Sequence, residues 1–162
     1  MRKILIPVDG SQLCLDAVRH GLDLVAHGLR AEFVLANVQE PPSLYEIITV
    51  RDPDILEDVS ASAGAHMLEQ ARALCDAAGV AYECDIASGD PAHTLIDLVE
   101  RHGCDSLIMG AGSRGGLAGS LLGSVSQEIA HACPVPVTLV KHASQDQDEQ
   151  AAQSISGEEA TQ

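Results

Sequence analysis

Lys3-Ile4-Leu5-Ile6-Pro7-Val8-Asp9-Gly10-Ser11 is the stretch that decides how the rest of the chain is read. Lys3–Val8 has the unbroken apolar character of a strand buried on both faces, where a half-exposed strand would alternate. It ends at Asp9-Gly10, and Ser11 is a good N-cap for a helix over 12–28. That helix carries its apolar stripe on Cys14, Ala17/Val18, Gly21/Leu22, Val25 and Leu29. A buried strand turning directly into an amphipathic helix is the opening of a βαβ unit.

The same alternation continues outward. Ala31–Val38 reads as a second strand, and Gln39–Pro53, with Pro41, Pro42 and Pro53, as a long connection placed to fold over something. Residues 54–78 read as a helix with Leu56, Val59, Ala63, Met67, Ala71, Leu74 and Ala78 on one face and Gly79 as its stop. Val80–Ala87 is a third strand. Ser88-Gly89-Asp90-Pro91 then turns into a helix with Pro at its start and a stripe of Ala92, Leu95, Ile96 and Val99. Asp105–Met109 is strand four, 110–122 a Gly-rich loop, 123–133 a short helix and Val135–Val140 strand five. This order predicts an α/β domain, a parallel sheet with helices on both faces, over residues 1–142. Residues 143–162 have no periodicity and read as an acidic, disordered tail.

Composition excludes several classes of function. Nine Lys and Arg face 24 Asp and Glu, a net charge of −15. Five of the acids and none of the bases lie in 143–162, which leaves 19 acids against nine bases, or −10, for the body. Such a surface repels phosphate backbones and anionic membranes. Aromatic residues are only 2%, with no Trp, so base-stacking platforms are nearly absent too. Nucleic acid and membrane are therefore not expected partners. The apolar N-terminal run meets Asp9 too soon for a signal peptide, and a cytoplasmic location is expected. The five Cys (14, 75, 84, 104 and 133) show no C-x-x-C and no pairing with His at zinc spacing, so no metal site is expected. Four of them fall in expected helices or strands, where Cys is usually a small buried hydrophobe.

The chemistry concentrates in Met109-Gly110-Ala111-Gly112-Ser113-Arg114-Gly115-Gly116-Leu117-Ala118-Gly119-Ser120-Leu121-Leu122-Gly123-Ser124-Val125. Six of the 14 residues from 110 to 123 are Gly. A Gly-rich loop between strand and helix exposes backbone N–H groups, and the helix start adds partial positive charge, which suits phosphate. Arg114 is the single charged residue between Ser106 and Gln127. The competing reading is a flexible loop with a solvated Arg. The letters fit neither a Walker A loop nor, in context, a dinucleotide fingerprint. Asp9 also has two readings: an acid at a strand's C-terminal end that accepts ribose hydroxyls, or an Asx turn into a capped helix.

Ile4-Leu5-Ile6-Pro7-Val8-Asp9-Gly10-Ser11, Gly89-Asp90-Pro91, Asp105-x-x-Ile108-Met109-Gly110, Leu121-Leu122-Gly123-Ser124-Val125-Ser126 and Pro134-Val135-Pro136-Val137 occur in order. Over residues 1–142 the chain resembles the universal stress protein family. The resemblance implies a five-stranded parallel sheet of order 3-2-1-4-5, adenine-nucleotide alpha-hydrolase-like. Strands one and four then lie side by side, and a homodimer forms through strand 135–140. The family's ATP-binding branch carries G-x2-G-x9-G-[ST]. Gly110 and Gly123-Ser124 match it, whereas Ser113 stands where the second Gly belongs. The implied site is Pro7, Val8 and Asp9 at adenine and ribose, Val38 at the adenine edge through its backbone, and Met109 and Gly110 beside the ribose. Ser113, Gly123, Ser124 and Val125 would hold the phosphates, with Arg114 added on physical grounds.

The implied function is a stress-response regulatory module that binds ATP, AMP or ADP, with Mg2+ accompanying the phosphates. It would signal to a regulated protein through nucleotide-dependent loop ordering and its dimer surface. The alternatives are a nucleotide-free dimeric interaction protein and a slow ATPase. No catalytic group stands out. The seven His fall mostly on helices or their ends, and no nucleophile elbow is present.

Overall fold

The computed structural model describes residues 1–41, 53–112 and 122–141. Its elements are β1 (Arg2–Pro7), α1 (Gln12–Ala26), β2 (Ala31–Gln39), α2 (Pro53–Ala78) and β3 (Tyr82–Ser88), followed by α3 (Pro91–His102), β4 (Ser106–Gly110), α4 (Ser124–Ala132) and β5 (Val137–Val140). Most of the long connection after β2, the segment with Ser113 and Arg114, and the expected acidic tail lie outside the described residues.

The strands form one sheet of order β3-β2-β1-β4-β5, parallel throughout. The first crossovers step outward from β1 to β3; the chain then passes back over β2 and β1 to lay β4 on the other side of β1. Because parallel crossovers are right-handed, this reversal puts α1 and α2 on one face and α3 and α4 on the other. Side-chain alternation follows. Ile4, Ile6, Val8, Phe33, Leu35 and Ile108 pack with residues of α1 and α2. Leu5, Val34, Ala36, Leu107 and Met109 pack with residues of α3 and α4. The central strands are thus buried on both sides, as the unbroken apolar run of β1 requires.

Three expectations need correction. Over residues 62–78 the buried line of α2 runs through Gly64, Leu68, Ala71 and Cys75, whereas Met67 and Leu74 are half-buried and Ala78 is exposed; the side chains of Leu56 and Val59 lie outside the described residues. The helix is rotated so that Leu68, Ala71 and Cys75 enter the core while Leu74 packs at its flank. Cys84, expected to be buried, is exposed because β3 is an edge strand, and Cys133 is half-buried; Cys104, outside any element, is buried. Burial pushes the Cys75 and Cys104 thiols up to about 11. Finally, β5 begins at Val137, not Val135. Pro136 has no N–H for a ladder, although its carbonyl accepts from the Leu107 N–H at 2.9 Å.

Candidate functional site

The crevice implied by this topology lies at the C-terminal edge of the sheet, where β1 and β4 separate the two winding directions. At the end of β1, the Val8 N–H donates to the Ala36 carbonyl at 2.8 Å. Gly10 then takes φ +79, a left-handed value that favours glycine. Asp9 Oδ1 accepts from the Ser11 N–H at 3.0 Å, and Ser11 Oγ caps α1 by accepting from the Cys14 N–H at 3.2 Å. The Asx turn is therefore present. Partial desolvation pushes the Asp9 carboxyl up, but hydrogen bonds from Ser11 and Cys14 outweigh it and hold it below its ordinary value. Asp9 is an exposed carboxylate at neutral pH, able to accept from hydroxyl donors.

The end of β2 offers a peptide edge. Phe33 N–H donates to the Ala81 carbonyl, and the Gln39 carbonyl accepts from Gly89 N–H, both at 3.0 Å on the β3 side. Ala36 bonds on the β1 side through Val8. In a parallel ladder these directions alternate residue by residue. Val38 is thus turned towards β1, but the β1–β2 register ends at Pro7↔Ala36. Its N–H and C=O face the edge beyond the last pair.

At the end of β4, Met109 is buried and Gly110 half-buried. A Cβ on Gly110 would lie 2.6 Å from Leu13 Cγ, and one on Gly112 would lie 2.6 Å from Leu13 Cδ2. Both glycines therefore admit the first turn of α1, a packing role separate from any ligand. Ser126 Oγ, 2% exposed, donates to the Gly110 carbonyl at 3.3 Å and ties α4 to β4. Gly123 is the N-cap of α4, with no side-chain cap bond and no acid in the first turn. The amides at Ser124 and Val125 consequently face an anion-compatible end.

Pro7, Val8, Asp9, Val38, Met109, Gly110, Gly123, Ser124 and Val125 all stand at this one edge, while Ser113 and Arg114 lie outside the described residues. Leu13, Asn37 and Ser126 also build it and were not anticipated. Asn37 had a visible signal, a lone amide in the apolar run Phe33-Val34-Leu35-Ala36-Asn37-Val38. Another unanticipated group is Asp90, His93 and Glu128, whose potential metal-ligating atoms lie within 4.8 Å of one another. All three are exposed, and Asp90 is already engaged as the N-cap of α3, accepting from the His93 N–H at 3.1 Å.

The family model for the universal stress protein family matches residues 1–141. The chain belongs to the universal stress protein family. Its relatives in that family include universal stress protein MJ0531 of Methanocaldococcus jannaschii, 26% identical over 140 residues, 86% of this chain and 82% of that protein. Among solved structures, the hypothetical protein MJ0577 superposes with a TM-score of 0.72 at 25% identity, covering 89% of this chain and 98% of the other. A universal stress protein in complex with cAMP superposes with a TM-score of 0.62 at 25% identity, covering 88% and 98%. The strand order is that of the family, as the resemblance implied. No helix among the described residues is long and apolar enough to cross a membrane.

Proposed function

We propose that this universal stress protein is a regulatory module that binds an adenine nucleotide, ATP or AMP, at the C-terminal edge of β1, β2 and β4. The observation that carries the reading is the turn of the Val38 peptide edge towards the side where β1 has ended. An adjacent N–H and C=O complement the N1 acceptor and N6 donor of adenine. Asp9 supplies a carboxylate for ribose hydroxyls beside it, and the uncapped start of α4 at Gly123-Ser124 supplies amides for phosphate. The related structure in complex with cAMP supports the adenine class.

Pro7, Val8, Met109 and Gly110 shape the walls in this reading, and Ser113, Arg114 and Val125 complete the phosphate end. Mg2+, when bound with ATP, neutralises phosphate charge near an otherwise acidic body. Occupancy is read by a partner protein through the surface around 110–124 and through a β5–β5 dimer. A purified sample that is heat-precipitated should release adenine nucleotide, identified by absorbance and mass, and calorimetry should show heat with ATP or AMP. A nucleotide-free supernatant together with no heat overturns the reading.

Ser113 in place of the second motif Gly favours one rival, a nucleotide-free dimeric interaction protein. Heat from Ser113→Gly but none from the parent would establish it.

A further inference from the structure

Asn37 is 1% exposed, a polar side chain inside the α1/α2 face of the sheet. Its orientation is defined from two sides. Nδ2 donates to the Val8 carbonyl at 2.7 Å, and Oδ1 accepts from Gln39 Nε2. A carbonyl only accepts, so the amide nitrogen must face Val8. Met67 Sδ lies 3.4 Å from the same nitrogen. A Cβ on Gly64 would come within 2.8 Å of Asn37 Oδ1, so α2 has a glycine where the amide needs room.

The acceptor that Asn37 holds is a particular one. If β1 continued beside β2, the Val8 carbonyl would be the next acceptor in the ladder and the Val38 N–H its donor. The register instead stops at Pro7↔Ala36. We propose that Asn37 is a positioning residue for adenine specificity: by holding the Val8 carbonyl on the α2 side, it ends the β1–β2 ladder and leaves the Val38 N–H for the N1 acceptor of the base. This rests on the nucleotide reading above and names what makes that site selective. Hypoxanthine presents an N1–H donor and an O6 acceptor, the reverse of what the Val38 N–H and C=O require. The site therefore distinguishes AMP from inosine monophosphate through a peptide that Asn37 keeps available.

The test has two readouts on the full chain. Amide hydrogen exchange by NMR, without nucleotide, should show the Val38 N–H exchanging at least about tenfold faster than that of Ala36, which lies inside the ladder. Calorimetry should show AMP binding at least about tenfold tighter than inosine monophosphate. Asn37→Leu removes the donor in surroundings that include Met67 and Ile86. Asn37→Asp keeps the volume and the acceptor for Gln39. In at least one folded variant, the Val38 amide should slow towards the Ala36 rate and the AMP preference should fall towards unity. A protected Val38 in the parent, or Val38 exchange and AMP preference unchanged in both variants, overturns the role of Asn37. A fast Val38 amide in a parent that shows no heat with AMP overturns the nucleotide reading instead, and with it the specificity assigned to Asn37.

Discussion

Lys3 and Asp105 exchange two hydrogen bonds across the switch point: the Lys3 N–H donates to Asp105 Oδ2, and the Asp105 N–H donates to the Lys3 carbonyl, each at 2.8 Å. The pair fastens the entrance of β4 to β1 before the ladder Ile4↔Ser106 begins. The Lys3 N–H holds the Asp105 carboxyl below its ordinary value of 3.8, with Arg2 adding to the effect. A depressed carboxyl contributes stability that is present above the unfolded value and lost as pH falls through the folded one. Asp105→Ala should therefore lower the unfolding midpoint at neutral pH, with the gap to the parent closing as pH drops below 3.8. A gap that persists unchanged in acid would show that the carboxylate charge is not its source.

The glycines at the end of β4 lead to a packing prediction. Gly110→Ala would place a Cβ 2.6 Å from Leu13 Cγ and 3.2 Å from the Leu13 carbonyl oxygen. Overpacking of this kind costs about 1–3 kcal/mol. Leu13→Ala in the same chain should recover part of that loss, which denaturant melts can measure. No recovery in the double variant would mean that the Leu13 side chain is not what the new methyl meets.

The proposed phosphate end is tested by calorimetry with ATP. A hydrogen bond to a charged group is worth about 1.5–3 kcal/mol, so Arg114→Ala should weaken binding roughly tenfold or more. Gly123→Val should weaken it further by adding bulk at the uncapped start of α4. Ser113→Gly restores the family pattern and should bind equally or more tightly. Unchanged affinity in both Arg114→Ala and Gly123→Val would move the phosphates elsewhere.

Strand β5 is the sheet edge proposed for homodimer formation. Thr138 is its exposed position, while Val137 and Leu139 pack against the α3/α4 cluster. Light scattering should give twice the monomer mass, and Thr138→Lys should shift the population towards monomer without disturbing that packing. A parent that is monomeric at micromolar concentration rules out this edge as a stable dimer interface.

Residues 143–162 hold few large apolar groups, chiefly Ile155. Truncation after His142 should leave the melting temperature and ATP affinity unchanged, because so little apolar surface is available to dock. A loss of several degrees would show that the segment packs on the body.

Local patterns were sufficient for the elements. The apolar run of β1, the Ser11 cap, the Asp90-Pro91 helix start and the Gly79 stop are all set by near neighbours in the chain, because capping and periodicity act within a few residues. The quoted family motifs carried the strand order; periodicity alone does not rank strands in a sheet. Tertiary structure alone decided the rest. That α2 buries Leu68 and Cys75, with Met67 only half-buried, depends on how a helix rotates against strands formed elsewhere. The exposure of Cys84 depends on β3 lying at an edge. The Lys3–Asp105 stitch, the fit of Leu13 over Gly110 and the capture of the Val8 carbonyl by Asn37 span 102, 97 and 29 positions. No local pattern pairs such residues. Their partnership is created when the crossovers lay distant strands side by side; for Asn37, 1% exposed, the requirement that a buried polar group find a partner then selects it.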